Sequence, residues 1–183
     1  LFNLSKAIKK FTLFLKKKNF DLVIILGDRW EIFGFGIAAS FLKIPIAHIH
    51  GGELTKGLID DHIRHSLTKM SFFHFVSTKI YRNRVIRMGE SPNRVLNVGA
   101  LAGDNLKNFK PIKKDILEKK IKIKIDSYTF LVTFHPETLS TISKKTQIIT
   151  LIKALKKLPK FKFIFSFSGV EAGSNIFKDM LEE

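Results

Sequence analysis

Apolar positions along the chain alternate between two periods. Residues 2–18 carry apolar side chains at helical spacing, with lysines between them: Leu4, Ile8, Phe11 and Leu15. DLVIILG at 21–27 is a short continuous apolar run, typical of a strand buried on both faces of a sheet. Such runs recur at 44–49, 72–77, 94–99, 129–134 and 161–167, between helical patterns at 30–42, 59–70, 78–88, 141–158 and from about 174. Strands alternating with helices predict an α/β fold with a doubly wound parallel sheet.

Lysine-rich residues interrupt this alternation once. We expect part of one Rossmann-like domain over 1–110, a connector over 111–127 and the start of a second Rossmann-like domain over 128–183. Both domains are expected to be incomplete, because the chain opens inside a helical pattern without Met and closes on MLEE without a helix stop signal. We interpret the chain as an internal fragment of a longer protein.

Composition narrows the class of protein. A hydrophobic content of 45% supports a packed core. The absence of cysteine excludes disulfides and thiolate metal sites, and it fits the cytoplasmic location that we expect. No apolar run reaches the ~18 residues of a membrane-spanning helix, so we expect no membrane partner.

The net charge of +16 raises the alternative of a nucleic-acid partner. Lysine supplies 26 of the 32 basic residues, however, and arginine, the usual base reader, supplies six. The lysines lie in helical and linker runs, without the basic strands interleaved with aromatic residues that stack bases. We therefore expect no nucleic-acid partner, whereas a phosphate-bearing small molecule suits the charge.

Polar residues cluster directly after the predicted strands. Gly27-Asp28-Arg29 follows the first strand, His48 to Glu53 ends the second, and His135-Pro136-Glu137 ends the first strand of the second unit. In open parallel sheets, ligands bind beyond the carboxyl ends of the strands. The sequence therefore predicts a site at these strand ends.

Each cluster has a catalytic or binding interpretation and a structural one. Asp28 and Arg29 could be an acid or base beside a bidentate phosphate clamp, or a structural ion pair. Gly51-Gly52 allows either a close approach to a ligand or a plain turn. His48 and His50 alternate on one strand face, which suits a metal site or else one core and one loop histidine. We expect no metal.

A second group of candidates belongs to a predicted helix. Asp61, Arg64 and His65 share one helical face, and Asp60 adjoins it, so that one carboxylate could hold a proton at neutral pH. The structural alternative is an acidic helix start with a local salt bridge.

Two further candidates belong to the second unit. His135 precedes a proline, so it could contact a phosphate, shuttle a proton or simply form a turn. The segment from Glu171 to Ser174 could offer backbone N–H groups to an anion.

Four segments of the sequence resemble the hydrolysing UDP-N-acetylglucosamine 2-epimerases, especially the bacterial branch that serves sialic and legionaminic acid synthesis. They are LGDRWE, IPIAHIHGGELTKGLIDDHIRHSLTKMSFFHF, RVLNVGALAGD and VTFHPET, within 22–104 and 129–138. The resemblance implies two Rossmann-like domains of the GT-B type. It also implies a nucleotide-sugar substrate, with no metal and no cofactor, and we expect a homo-oligomer, a dimer or a tetramer.

The resemblance also implies roles for the candidate residues. The catalytic residues would be Asp28, His50, Glu53, Asp60, Asp61 and His135. The substrate-binding residues would be Arg29, Gly52, Arg64, His65, Glu171 and Ser174, with Arg64 and His65 bracing the acidic pair.

The chain departs from the family pattern at two places. Related epimerases often carry glutamate where this chain has His50, and Glu53 is a candidate to compensate. The family commonly shows F-x-N-x-D-A-G where this chain has Gly169 and Glu171, which points to a different sugar, such as a diacetamido-trideoxy sugar.

Other functions stay open on the residues alone. A non-hydrolysing epimerase usually reads E-A-G-L-R-T and P-E-E-x-N-R, unlike GGE…IDDHIRH here. A metal-dependent hydrolase would use the histidines and aspartates of 48–65, and a basic nucleic-acid-binding module would use the lysines.

Overall fold

The computed structural model describes residues 1–137 and 139–166, and the chain forms two compact units, Leu1–Phe109 and Lys110–Glu183. The elements of the first unit are α1 (Phe2–Lys16), β1 (Val23–Leu26), α2 (Trp30–Phe41), β2 (Ile46–Ile49), α3 (Ile59–Met70), β3 (Phe73–Val76), α4 (Lys79–Arg87), β4 (Val95–Asn97) and α5 (Leu101–Lys107), with a 3-10 turn at Pro92–Arg94. The described elements of the second unit are α6 (Lys114–Ile121), β5 (Thr129–Thr133), α7 (Lys144–Lys156) and β6 (Lys162–Ser166).

Both units contain parallel sheets, which confirms the predicted α/β class. The first sheet has the order β1-β2-β3-β4, and one row of its register runs through Ile25, His48, His74 and Val95. In the second unit, β5 pairs in parallel with β6. Along the described residues, no helix combines the length and the apolar character that crossing a bilayer requires.

The core of the first unit lies on one face of its sheet. Strands in sequential order with right-handed crossovers keep all the connecting helices on the same face. That face buries Val23, Ile25 and Ile46 under α1, α2 and α3, while α4 covers Val76 and Val95. The helices thereby bring the start of α3 to the carboxyl ends of the strands.

The prediction that β1 is buried on both faces is wrong. Val23 and Ile25 are buried, but Ile24 and Leu26 are 65% and 50% exposed. The apolar run predicted burial of every side chain, whereas right-handed connections between sequential strands place α2, α3 and α4 on the opposite face. No pattern in the sequence predicted α5, which is only 7 residues long.

Gly36 sets the separation between α2 and α3. A Cβ at this position would lie 2.5 Å from Cδ2 of Leu67, which is fully buried. We expect Gly36→Ala to lower the free energy of unfolding by about 1–3 kcal/mol, measured by urea denaturation of the full-length protein.

Gly103→Ala is the matched control for this helix glycine. A Cβ at Gly103 would meet nothing within 4 Å, so alanine should be neutral or gain up to about 1 kcal/mol. Equal stability of the Gly36 and Gly103 variants would contradict the packing argument.

Candidate active site

Three neighbouring strands of the first unit deliver polar residues to one edge of the sheet. The backbone N–H of Gly27 donates to the carbonyl of Ile49 at 3.2 Å, and that of His50 donates to Phe75 at 2.9 Å. Asp28 and His50 therefore both lie at the carboxyl end of the sheet, beyond β1 and β2, as the strand-end rule predicts.

Arg64 connects this edge to the first turn of α3. Its side chain is 7% exposed, and Nη2 donates both to Asp28 and to Oγ1 of Thr55, the latter at 2.9 Å. Nη1 donates to Oδ1 of Asp61 at 3.4 Å. A buried guanidinium is stable only when carboxylates and hydrogen bonds compensate its desolvation, and two carboxylates do so here.

Asp28 and Arg29 take different ion-pair partners. Asp28 pairs with Arg64, which lies 36 residues further along the chain. Arg29 donates through Nε and Nη2 to both carboxylate oxygens of Glu31, at 3.2 and 2.9 Å. The hydrogen bond from Arg29 lowers the pKa of Glu31. One interpretation of the sequence was an ion pair between the adjacent residues Asp28 and Arg29.

The predicted shared face of Asp61, Arg64 and His65 is confirmed on α3. Asp61 Oδ1 accepts from the backbone N–H of Thr55 at 2.9 Å, and its Oδ2 lies 3.7 Å from His65 Nε2. Both Asp60 and Asp61 stand in the first turn of the helix, where the helix dipole favours negative charge. Asp61 therefore closes the 55–61 loop while it neutralises Arg64.

His50 and Glu53 form a second hydrogen-bonded group at the same end of the sheet. His50 Nδ1 lies 2.7 Å from Glu53 Oε1, which also accepts from the Ser77 hydroxyl at 2.8 Å. Burial raises the pKa of Glu53, but the hydrogen bonds from His50 and Ser77 outweigh it, so the pKa lies below its ordinary value. Glu53 is therefore a carboxylate at neutral pH.

His48 is a core histidine. It is fully buried, and its Nε2 lies 2.9 Å from the Gly27 carbonyl, which can only accept, so Nε2 carries the proton. Its Nδ1 lies 3.3 Å from Thr68 Oγ1. His50 lies beyond the end of β2 with φ of 66°, so the strand alternation that would pair the two rings does not apply.

The metal interpretation of His48 and His50 therefore has no geometric support. Both ring nitrogens of His48 already face protein atoms. Within the part of the chain that the structure describes, no group of three or more histidine, cysteine or carboxylate residues could hold a metal ion. The sequence pattern did not predict the contact that His48 makes with the carbonyl of Gly27, the residue before Asp28.

Stability is expected to depend on pH through His48. Burial lowers the pKa of His48 from 6.5 to about 4. The unfolded chain takes up this proton as pH falls below about 6.5, whereas the folded protein does not until about pH 4. The contribution of His48 to the free energy of unfolding is therefore fully present above about pH 6.5. It is lost progressively as the pH falls towards about 4, by up to about 3 kcal/mol.

Urea unfolding near neutral pH and near pH 5 measures this dependence. His48→Gln keeps an N–H donor for Gly27 but does not titrate, so its stability should fall less with pH. Burial also lowers the pKa of His74, so some dependence remains in the variant. Equal pH dependence in the variant and the wild type would exclude His48 as a cause.

Gly52 packs against α4. Its φ is 78°, and a Cβ would lie 2.7 Å from Val85 Cγ2 and 2.8 Å from the Tyr81 carbonyl. Arg84 donates a hydrogen bond to the Gly52 carbonyl. These contacts explain the need for glycine, and a contact of Gly52 with substrate stays a prediction.

The remaining candidates belong to the second unit. His135 follows β5 and is exposed. Glu171 and Ser174 lie outside the described residues. The roles of all three stay predictions.

The chain is similar to curated proteins over nearly its whole length. It is 38% identical over 180 residues to the GDP/UDP-N,N'-diacetylbacillosamine 2-epimerase (hydrolyzing) of Campylobacter jejuni, covering 98% of this chain and 47% of that protein. It is 44% identical over 177 residues to polysialic acid biosynthesis protein P7 of Escherichia coli, covering 96% and 45%. The chain thus spans about half the length of the curated relatives that it matches.

Solved structures share the fold. The UDP-GlcNAc 2-epimerase of Methanocaldococcus jannaschii, in complex with UDP-GlcNAc and UDP, matches with a TM-score of 0.79 at 23% identity, over 98% of this chain and 52% of that chain. The Neisseria meningitidis enzyme bound to UDP-GlcNAc matches with a TM-score of 0.75 at 22% identity, over 98% and 51%. The family model described as UDP-N-acetylglucosamine 2-epimerase covers residues 3–183. The chain therefore belongs to the UDP-N-acetylglucosamine 2-epimerase family.

Proposed function

We propose that the full-length protein is a hydrolysing 2-epimerase. It would convert UDP-N-acetylglucosamine, or a UDP- or GDP-linked diacetamido-trideoxy sugar, into the nucleoside diphosphate and a free sugar inverted at carbon-2. The observation that carries this proposal is the cluster at the sheet edge, where Arg64 joins Asp28 and Asp61 beside His50 and Glu53.

The reaction needs groups of the kind that this edge supplies. A base removes the weakly acidic hydrogen from carbon-2, its electrons form the double bond to carbon-1, and the carbon-1–oxygen bond breaks as UDP leaves. Water then adds to the 2-acetamidoglucal, with its oxygen on carbon-1 and a proton on the opposite face of carbon-2. Acid–base groups and a clamp for the departing diphosphate accelerate both steps.

The roles divide between carboxylates, histidines and arginines. Asp28 and one of Asp60 and Asp61 would exchange protons with the sugar, and Arg64 would hold their geometry. Arg29 would contact the diphosphate, for which its bidentate fork is suited. We further propose His135 as an acid–base or phosphate-contact residue, His65 as a brace, and the substrate contacts Gly52, Glu171 and Ser174.

The names of the relatives favour the hydrolysing reaction over the non-hydrolysing one. The Campylobacter relative and a Legionella pneumophila relative at 31% identity are both named as hydrolysing diacetylbacillosamine epimerases. A diacetamido-trideoxy sugar nucleotide is thus a leading substrate alongside UDP-N-acetylglucosamine, within sialic or legionaminic acid synthesis. A homo-oligomeric state, dimer or tetramer, and a cytoplasmic location stay part of the proposal.

Proton NMR of the full-length protein in heavy water tests the proposal. UDP-N-acetylglucosamine and UDP-N,N'-diacetylbacillosamine are supplied in turn. Release of UDP and a free sugar with deuterium at carbon-2 would support it, whereas an epimer still linked to UDP would indicate the non-hydrolysing reaction. The proposal would be overturned by a folded protein that releases UDP from neither UDP-sugar and releases no GDP from the GDP-linked sugar. Loss of activity with a strong chelator would favour a metal-dependent hydrolase.

A further inference from the structure

His50 is held by its backbone and by its ring at the edge of the sheet. Its N–H donates to the Phe75 carbonyl at 2.9 Å, and its φ of 66° lies in the left-handed region, which favours glycine. The side chain is 24% exposed, so the ring is partly open to solvent and to a ligand.

The hydrogen bonds of the ring fix its tautomer. Glu53 is a carboxylate and can only accept, so the proton on Nδ1 of His50 points to Glu53 Oε1 across 2.7 Å. In the neutral ring Nε2 then carries the lone pair. Among the described residues, Nε2 of His50 has no hydrogen-bond partner of its own.

Glu53 is in turn fixed from β3. The hydroxyl of Ser77, the residue after that strand, donates to the same Oε1 atom at 2.8 Å. The Glu53 side chain is 29% exposed, and the oxygen that faces His50 already accepts two hydrogen bonds. This leaves Glu53 suited to orient the ring and to stabilise positive charge on it.

We propose that His50 Nε2 takes the carbon-2 proton of the sugar, and that Glu53 is a positioning residue that acts only through His50. The proposal rests on the proposed function. The lone pair of Nε2 forms the new N–H bond, the electrons of the carbon–hydrogen bond form the double bond, and UDP leaves with the electron pair of its bond to carbon-1. The imidazolium that results faces the Glu53 carboxylate.

The backbone geometry of His50 allows a chemical-rescue experiment. Glycine adopts a φ of 66° without strain, so His50→Gly removes the ring without disturbing the turn. We expect kcat for UDP release by the full-length protein to fall at least about 100-fold with KM within about threefold, and added imidazole to restore about tenfold or more. His50→Asn, which also tolerates this φ, keeps a polar group and should not restore activity.

A double-mutant cycle tests the role of Glu53. Glu53→Gln alone should lower kcat about 10- to 100-fold. In the His50→Gly background it should have no further effect, because a residue that acts only through His50 has nothing left to orient. Multiplicative effects, or His50→Gly activity within about threefold of wild type, would overturn the proposal.

Nitrogen-15 NMR of the full-length protein reads the tautomer without any activity. In the neutral form of the His50 ring, the proton is expected on Nδ1. A proton on Nε2 would overturn the proposal even in a protein that releases no UDP. Failure of the proposed function and failure of this inference are therefore distinguishable.

Discussion

Asp28→Asn is expected to lower kcat for UDP release about 10²- to 10⁴-fold, the range for loss of a general acid or base. Asparagine has the same shape, and its carbonyl oxygen can still accept the hydrogen bond from Arg64. It cannot exchange a proton with the sugar, so chemistry should suffer more than binding. Steady-state UDP release by the full-length protein measures both kcat and KM.

Asp21→Asn is the matched control for this substitution. Asp21 is exposed and lies before β1, in the same unit as Asp28. The same chemical change there should leave kcat within about twofold, as expected of an exposed position away from the site. A folded Asp28→Asn protein with wild-type kcat would remove Asp28 from the acid–base groups.

Arg64→Met should have the largest effect on stability, about 3–5 kcal/mol. Methionine fills much of the same volume but leaves Asp28 and Asp61 without the guanidinium that lies between them. The Thr55 hydroxyl oxygen also loses the hydrogen bond that Arg64 Nη2 donates to it at 2.9 Å. Urea denaturation of the full-length protein measures the loss.

Arg29→Met is the matched control, because it removes the same charged group from an exposed position. Arg29 pairs with Glu31 at 2.9 Å, but the two side chains are 56% and 37% exposed. Exposed pairs contribute about 0–1 kcal/mol, so stability should change little. If both arginine variants lost the same small amount, Arg64 would not be the structural centre of the site.

Local patterns predicted the elements well where the pattern was strong. The helical pattern over 59–70 matches α3, Ile59–Met70, because an acidic first turn and a regular apolar face both mark it. Runs of apolar residues located the strands, and the strand-end rule pointed to the candidate site. The short helix α5 has too few turns to show a period.

Long-range partners were not predictable in this way. Asp28 meets Arg64 across 36 residues, and the choice depends on how the sheet brings α3 to β1. The exposure of Ile24 depends on the strand order, which the apolar run itself does not contain. The left-handed turn at His50 likewise arises from the junction of β2 with the following loop.

The packing of Gly52 against α4 limits how the site can move. Segments that open and close over a site are ones with few buried contacts. The Gly52 carbonyl is held by Arg84, and Val85 and the Tyr81 carbonyl leave no space for even a methyl group beside the glycine. The Gly51-Gly52 turn is therefore a fixed wall rather than a gate, and any opening of the candidate site has to occur in other segments.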